Sequence, residues 1–218
     1  MRENTAPKPL GVILAGGRSQ RMGGGDKGLL PLGGKPLIAH VIERLRSQLP
    51  SLIINANGDP ARFAQFGFPV VEDRITGYQG PLAGLQSAMR YALDMDDALR
   101  PGHIVTVAAD TPFFPADLVS RLMQALEEEK ADIALATSDG NLHPVFGFWP
   151  VALEPDLTDW LASGEKPRVS AWAKRHRVAQ AHFGPLKTAD GLAADPFFNI
   201  NTREDLAQAE KLLKKLHP

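Results

Sequence analysis

"VILAGGRSQRMGGGDKGLL", residues 12–30, runs from an apolar stretch ending at Leu14 into six glycines between Gly16 and Gly28, threaded with the cations Arg18, Arg21 and Lys27. Glycine lets the backbone turn sharply and approach a ligand closely, while clustered cations need an anion to face. The apolar run "LGVILA", residues 10–15, carries β-branched residues and reads as a buried strand. A long loop leaving the carboxyl end of such a strand is where open parallel sheets bind ligands, and a phosphate chain suits its composition. Two familiar glycine patterns do not fit. A P-loop ending at Lys35 would need glycine where Leu29 stands and a hydroxyl residue where Pro36 stands. The GxGxxG match at Gly23, Gly25 and Gly28 begins too far beyond Leu14 to open a helix directly after the strand.

Outward from this stretch, strand and helix patterns alternate. "KPLIAHVIERLRSQL" puts Pro36 at a helix start and spaces Leu37, Val41, Leu45 and Leu49 along one face. "SLIINAN" is a strand, "PARFAQFG" a short helix, "PVVED" (69–73) a strand, and residues 81–95 a helix opened by Pro81. "HIVTVAAD" (103–110) is a buried strand ending at Asp110. There follow a helix at "PADLVSRLMQALEEE", strands at "ADIALATS" and "HPVFGFWP", helices at "EPDLTDWLAS" and "RVSAWAKRH", and a short strand at "AQAHFG". Thr202 and Asp205 stand in a capping relation at the start of the last helix, whose lysines suit its end. This alternation predicts an α/β fold, a three-layer sandwich around a mostly parallel, Rossmann-like sheet. Residues 8–218 are expected to form one domain, with a nucleotide-binding half at 8–138 and an acceptor-binding half at 139–218.

Composition removes several function classes. A formal net charge of -1 argues against nucleic acid held by bulk electrostatics, and the absence of cysteine excludes thiolate nucleophiles and Cys-built metal sites. "MRENTAPKPL" lacks the apolar core of a signal peptide, and no run approaches a membrane span, so a cytoplasmic protein is expected, with no membrane partner.

The segment "LAGGRSQRMGGGDKGLLPLGGKPLIAHV" resembles the signature of the molybdenum cofactor guanylyltransferases, the MobA family of nucleotidyltransferases. The likeness continues through "INAN" (54–57), "VVED" (70–73), "GPLAGL" (80–85), "AADTPFFPADL" (108–118), "HPVFGFW" (143–149), "GEKPRV" (164–169) and "FFNINTREDL" (197–206), nearly the whole chain. The resemblance implies transfer of GMP from GTP to the terminal phosphate of molybdopterin or its molybdenum-loaded form, with release of pyrophosphate. It also implies transient contact with cofactor-delivery proteins. A CTP-dependent cytidylyltransferase or a sugar-phosphate nucleotidyltransferase would use the same chemistry, and a GTP-binding delivery protein would bind without turnover.

Attack of one phosphate on another needs positioning and charge neutralisation rather than a side-chain nucleophile. Lys27, with Arg21, is expected to face the triphosphate and the charge developing on it. Asp110, at the end of its strand, can coordinate Mg²⁺ through oxygen, the role the resemblance gives it; a helix-capping role beside Thr111 competes. The resemblance adds the stretch Leu14, Ala15, Gly16 and Gly17, together with Asn55 and Asp73, as nucleotide contacts. An aspartate such as Asp73 can accept from the N1–H and exocyclic amine of guanine. Gly80 and Pro81, with Gly84, would either border the nucleotide or serve a tight helix start alone. Acceptor-binding candidates are His143, Lys166, Arg168, Ser170 and Arg175. Asn199 and Asn201 offer a further approach to metal or phosphates, against a turn-and-cap role. Trp149, Trp160 and Trp172 are candidates to flank the pterin, with Trp160 better suited to the core by its helical spacing.

Overall fold

A computed structural model describes residues 8–16, 26–75, 80–166, 168–191 and 193–216. The chain runs through β1 (Leu10–Leu14), the hairpin strands β2 (Pro31–Leu32) and β3 (Lys35–Pro36), α1 (Leu37–Arg46), β4 (Leu52–Asn55) and β5 (Val70–Val71). It continues through α2 (Pro81–Leu93), β6 (His103–Ala108), α3 (Leu118–Glu128), β7 (Ile133–Ser138), β8 (Asn141–Pro150) and α4 (Glu154–Ala162). The last elements are α5 (Val169–Ala173), β9 (Val178–Phe183), the short pair β10 (Leu186–Lys187) and β11 (Ala193–Ala194), and α6 (Arg203–Leu216). The expected helix at "PARFAQFG" is a 3-10 helix, Pro60–Phe66, and the strand expected over 69–73 is paired only at Val70–Val71.

Seven strands form one sheet in the order β5-β4-β1-β6-β8-β7-β9. Every neighbouring pair is parallel except those made by β8, which runs antiparallel to both β6 and β7. The carboxyl ends of β4, β1, β6, β7 and β9 therefore share one edge, and β8 begins at that same edge. Both faces are covered, which is why β1 is apolar throughout rather than alternating. Adjacent residues point to opposite layers: Val12 joins Leu82, Met89, Leu157 and Trp172 from α2, α4 and α5, whereas Ile13 joins Val41, Leu45, Leu118 and Leu122 from α1 and α3. The sandwich anticipated from the alternation is the fold observed.

Two local devices bring distant segments to the shared edge. Gly33 and Gly34, both at positive φ, turn the chain between β2 and β3, so "LGGK" makes a hairpin rather than a phosphate loop. At the other end of the chain, Asp205 Oδ2 accepts from the backbone N–H groups of Asn201 and Thr202, each at 2.9 Å, and Asp205 N–H donates to Thr202 Oγ1 at 3.1 Å. This is the reciprocal cap expected of Thr202 and Asp205. Those bonds, led by the Asn201 N–H, hold the Asp205 carboxyl below its ordinary pKa. Helix α6 then packs Ala209 and Leu212 on Leu32, Leu37, Phe113 and Ile200, and Ile200 N–H donates to Asp110 C=O at 3.0 Å. Among the described residues no helix is long and apolar enough to cross a membrane.

Candidate active site

Where β1 ends, Ala15 N–H donates to Asn55 C=O at 2.8 Å and Ala109 N–H donates to Leu14 C=O at 3.1 Å, so the ladder continues past the last strand residues. Leu14, Ala15, Lys27, Gly28, Ala109 and Asp110 line a small crevice at this point, with the exposed Gly16 beside it in sequence. Gly17, Arg18 and Arg21 lie outside the described residues.

Lys27 opens a 3-10 turn, Lys27–Leu29, that lays its side chain across the end of β6. Its Nζ donates to Asn201 Oδ1 at 2.5 Å and stands 3.6 Å from Asp110 Oδ2. The Lys27 and Asp110 side chains are 18% and 17% exposed, so their charges are mostly withdrawn from water but still reachable by a ligand. Burial pushes the Asp110 carboxyl above its ordinary pKa, against the smaller opposing pull of Lys27 and of hydrogen bonds from Lys27 and Thr111. A carboxylate beside one lysine has hard oxygen donors to offer a divalent cation. Among the described residues no group of three His, Cys, Asp or Glu side chains could hold a metal by itself.

Toward the β4 and β5 side the site is a network of amides around one carboxylate. Asn55 is buried, and its Nδ2 donates to Val71 C=O at 3.0 Å and to Asp73 Oδ1 at 2.9 Å. Asn57 Nδ2 donates to Asp73 Oδ2 at 2.7 Å, and Asp73 N–H donates back to Asn57 Oδ1 at 2.8 Å. Each carboxylate oxygen thus accepts one fixed amide and keeps further acceptor capacity, with no donor of its own. Gly84, in the first turns of α2, lies against Asn55: a Cβ there would stand 2.1 Å from Asn55 Oδ1. Gly80 precedes α2 at φ 153° and ψ 174°, a conformation essentially confined to glycine, and Pro81 is the first helical residue.

On the other side of β6, where β8 starts and β7 ends, aromatic rings replace amides. His143 stacks on Phe197 with centroids 4.3 Å apart, and Phe197 meets Phe146 and Phe183 edge-on. Ser138 Oγ donates to Asp195 Oδ1 at 2.9 Å and lies 2.7 Å from His143 Nε2, so that ring nitrogen carries the donated proton. Burial lowers the His143 pKa, with Asp195 pulling weakly the other way. The ring is therefore the neutral Nε2–H tautomer near neutral pH.

The remaining expected acceptor residues differ in their surroundings. Lys166 and Arg168 are exposed, and among the described residues neither side chain is bonded to Lys27 or Asp110. Ser170 belongs to α5, whose Trp172 stacks on Trp149 at 5.8 Å. Trp149 pairs with Ile104, near the start of β6 and roughly 13 Å of strand away from Ala108. The expectation that Trp149 and Trp172 flank a ligand is corrected: both are fully buried, with their indole N–H groups donated to Thr106 and Asp156. Arg175 is committed to Asp156 at 3.1 Å and to the Trp160 ring, and Trp160 is partly buried against the α2, α4 and α5 layer. Asn199 is exposed, while Asn201 alone of the two asparagines reaches Lys27. Sequence reasoning missed Asp26, Asn57 and Arg62. Asn57 had a local signal in "INAN", but nothing in sequence joins Arg62 to its ion-pair partner Asp26.

The MobA-like NTP transferase domain family matches residues 11–179. A molybdenum cofactor guanylyltransferase of Bradyrhizobium sp. (strain ORS 278) is 45% identical over 212 residues, covering 97% of this chain and 96% of the relative. One from Rhizobium leguminosarum bv. trifolii is 49% identical over 208 residues, covering 94% and 93%. Among solved structures, molybdopterin-guanine dinucleotide biosynthesis protein A from Archaeoglobus fulgidus superposes with a TM-score of 0.71 at 22% identity, covering 94% of this chain and 99% of that one. At that identity the likeness supports the fold.

Proposed function

The chain belongs to the MobA-like NTP transferase family, and from that premise we propose that it transfers GMP from GTP to the terminal phosphate of molybdopterin or Mo-molybdopterin, forming the guanine dinucleotide and pyrophosphate. The observation that carries the reading is the meeting of Lys27 with Asp110 and Asn201 at the carboxyl edge, between an amide-held carboxylate on one side and a histidine on the other. Asp73 meets the two N–H donors of the guanine edge with acceptors alone, whereas cytosine and adenine would turn a ring-nitrogen acceptor toward it. This favours GTP over the cytidylyl alternative.

Lys27, already between two oxygen acceptors, exchanges them for phosphate oxygens and neutralises charge that grows as the bond to pyrophosphate breaks. Asp110 is the residue that would hold Mg²⁺, whose role would be to neutralise the triphosphate and orient it. The backbone at Leu14, Ala15 and Gly16, and Gly80 and Pro81 at the start of α2, border the nucleotide; Gly17 and Arg21 belong to the same assignment. We assign residues 8–138 to the nucleotide and 139–218 to the acceptor, whose phosphate approaches Asp110 past His143 and Asn201. Lys166, Arg168, Ser170 and Asn199 are retained as outer acceptor contacts, the reaction is placed in the cytoplasm, and the product passes to cofactor-delivery proteins.

Pyrophosphate release with phosphate-bearing molybdopterin and Mg²⁺, compared for GTP, CTP and ATP with the pterin product weighed by mass, tests the proposal. GTP-dependent release together with the guanine dinucleotide is the expected result. Preference for CTP would contradict the reading of Asp73, and binding of GTP without turnover would make the chain a carrier.

A further inference from the structure

The base end and the phosphate end of the site are joined by the side chains of Arg62 and Asn57. Arg62, on the 3-10 helix after β4, donates from one Nη to Asp26, the residue before Lys27, and from the other to Asn57 C=O at 2.5 Å. Its Nε donates to Asp59 C=O at 2.9 Å, and its guanidinium lies over the Phe63 ring, 5.4 Å from the centroid. All three donating nitrogens are thus used within the protein, and a planar guanidinium so forked is held in a single orientation. Asn57 closes the other half of the span, because its side-chain amide is bonded at both ends to Asp73. The path Lys27, Asp26, Arg62, Asn57, Asp73 is continuous, through one peptide link and successive hydrogen bonds. It bypasses the hydrophobic core. The Asp26 side chain is only 15% exposed and the Arg62 side chain 34%, so the ion pair between them is sheltered from water.

Resting on the guanylyltransferase reading above, we infer that Arg62 and Asn57 are positioning residues that set the register between guanine recognition and triphosphate contact: Asn57 fixes the outward face of the Asp73 carboxylate, and Arg62 locks that loop to the residue preceding Lys27. Asn55 by itself could hold Asp73 by one oxygen, leaving the carboxylate free to swing about that bond. With Asn57 on the second oxygen, both remaining acceptor directions face the base together, which is what simultaneous binding of N1–H and the exocyclic amine requires. Arg62 matters for a ligand only when that ligand occupies both ends, since its contribution is their relative placement.

The two roles predict different signatures, read by equilibrium binding to the full chain in the presence of Mg²⁺. Inosine triphosphate lacks the exocyclic amine, so the wild type should prefer GTP to ITP by roughly tenfold to a hundredfold, the size of one hydrogen bond to a charged acceptor. Asn57→Ala should collapse that ratio toward unity. Arg62→Met, which keeps an apolar stem against Phe63, should leave the ratio intact but weaken GTP several-fold more than GMP, because GMP does not span the strut. Near-ultraviolet circular dichroism confirms folding, and either variant alone keeps its half of the inference testable. A wild-type GTP to ITP ratio in Asn57→Ala overturns the role of Asn57. Equal losses for GTP and GMP in Arg62→Met, or none, overturn the strut. Failure of the underlying reading looks different: the wild type itself would then show no preference for GTP over CTP.

Discussion

At the β4, β1 and β6 end of the carboxyl edge, charged side chains among the described residues are held by polar partners: Asp73 by two amides, Lys27 by Asp110 and Asn201, Asp26 by Arg62. At the β8, β7 and β9 end, polar groups also lean on rings, with His143 on Phe197 and Arg121 over Phe183 at 4.4 Å. The first arrangement fixes where charges sit and suits a ligand whose own charges must be met point by point. The second buries Phe146, Phe183 and Phe197 beneath the half-buried His143, so that this imidazole and the exposed Asp195 are what it turns toward the proposed acceptor. Substitutions at the two ends should therefore separate: one end should lose nucleotide binding and turnover, the other acceptor binding alone.

The largest effect is expected at the boundary between them. Asp110→Asn should lower turnover by about 100-fold to 1,000-fold, the scale of a removed charge-stabilising group. Stability should move the other way. Burial raises the folded-state pKa of Asp110 above its unfolded value of 3.8, so the folded protein binds that proton more tightly and the ionised carboxylate costs stability as pH rises. A neutral amide at this position lacks that cost, so unfolding experiments should show the variant at least as stable as wild type at neutral pH, with any gain vanishing below pH 3.8. A variant both inactive and clearly destabilised at neutral pH would make Asp110 a structural residue.

Gly84→Ala should come next. Its methyl would have to displace Asn55 Oδ1, costing on the order of 1–3 kcal/mol and loosening Asp73. GTP affinity should fall while acceptor affinity holds; unchanged GTP titrations would show that Asn55 has room to move and carries no base contact.

His143→Gln sharpens the comparison from the other end. The KM for molybdopterin should rise and that for GTP should not, and a reversed pattern would abolish the division between the two ends. Its pH behaviour offers a second check. Because the folded-state pKa of His143 is depressed, the unfolded chain binds the extra proton more readily, and stability should fall as pH drops below the ordinary histidine value of 6.5. Denaturant titrations across that range should show a flatter dependence in the glutamine variant.

Away from both ends, Thr202→Ala should cost about 1 kcal/mol through loss of the α6 cap. Since Asn201 is positioned by the same cap, a small drop in turnover should accompany it, measurable against an unchanged GTP to CTP preference.

What could be read from sequence follows the same divide. Strand β1, the Pro81 start of α2 and the Thr202–Asp205 cap were visible because apolar runs, proline and capping pairs act over a few residues. Lys27 and Asp110 were picked out by their glycine-rich and strand-end settings, but the bond from Lys27 to Asn201 spans 174 positions and exists only through the packing of α6. The antiparallel pairing of β8 with β7 has a local mark in the Asp139–Gly140 turn, both residues at positive φ, but the placement of β8 beside β6 has none. The tryptophans misled for a physical reason: a large ring with one N–H serves a ligand or a core equally well, and here Thr106 and Asp156 satisfy Trp149 and Trp172 from within.

The central claim is that Lys27 and Asp110 act as one unit on the triphosphate. A double-mutant cycle of Lys27→Met and Asp110→Asn, read as single-turnover transfer from saturating GTP to molybdopterin, tests it most directly. The account predicts strong non-additivity, with the double variant little slower than the worse single one. Losses that simply multiply would mean two independent residues, and the shared site described here would be wrong.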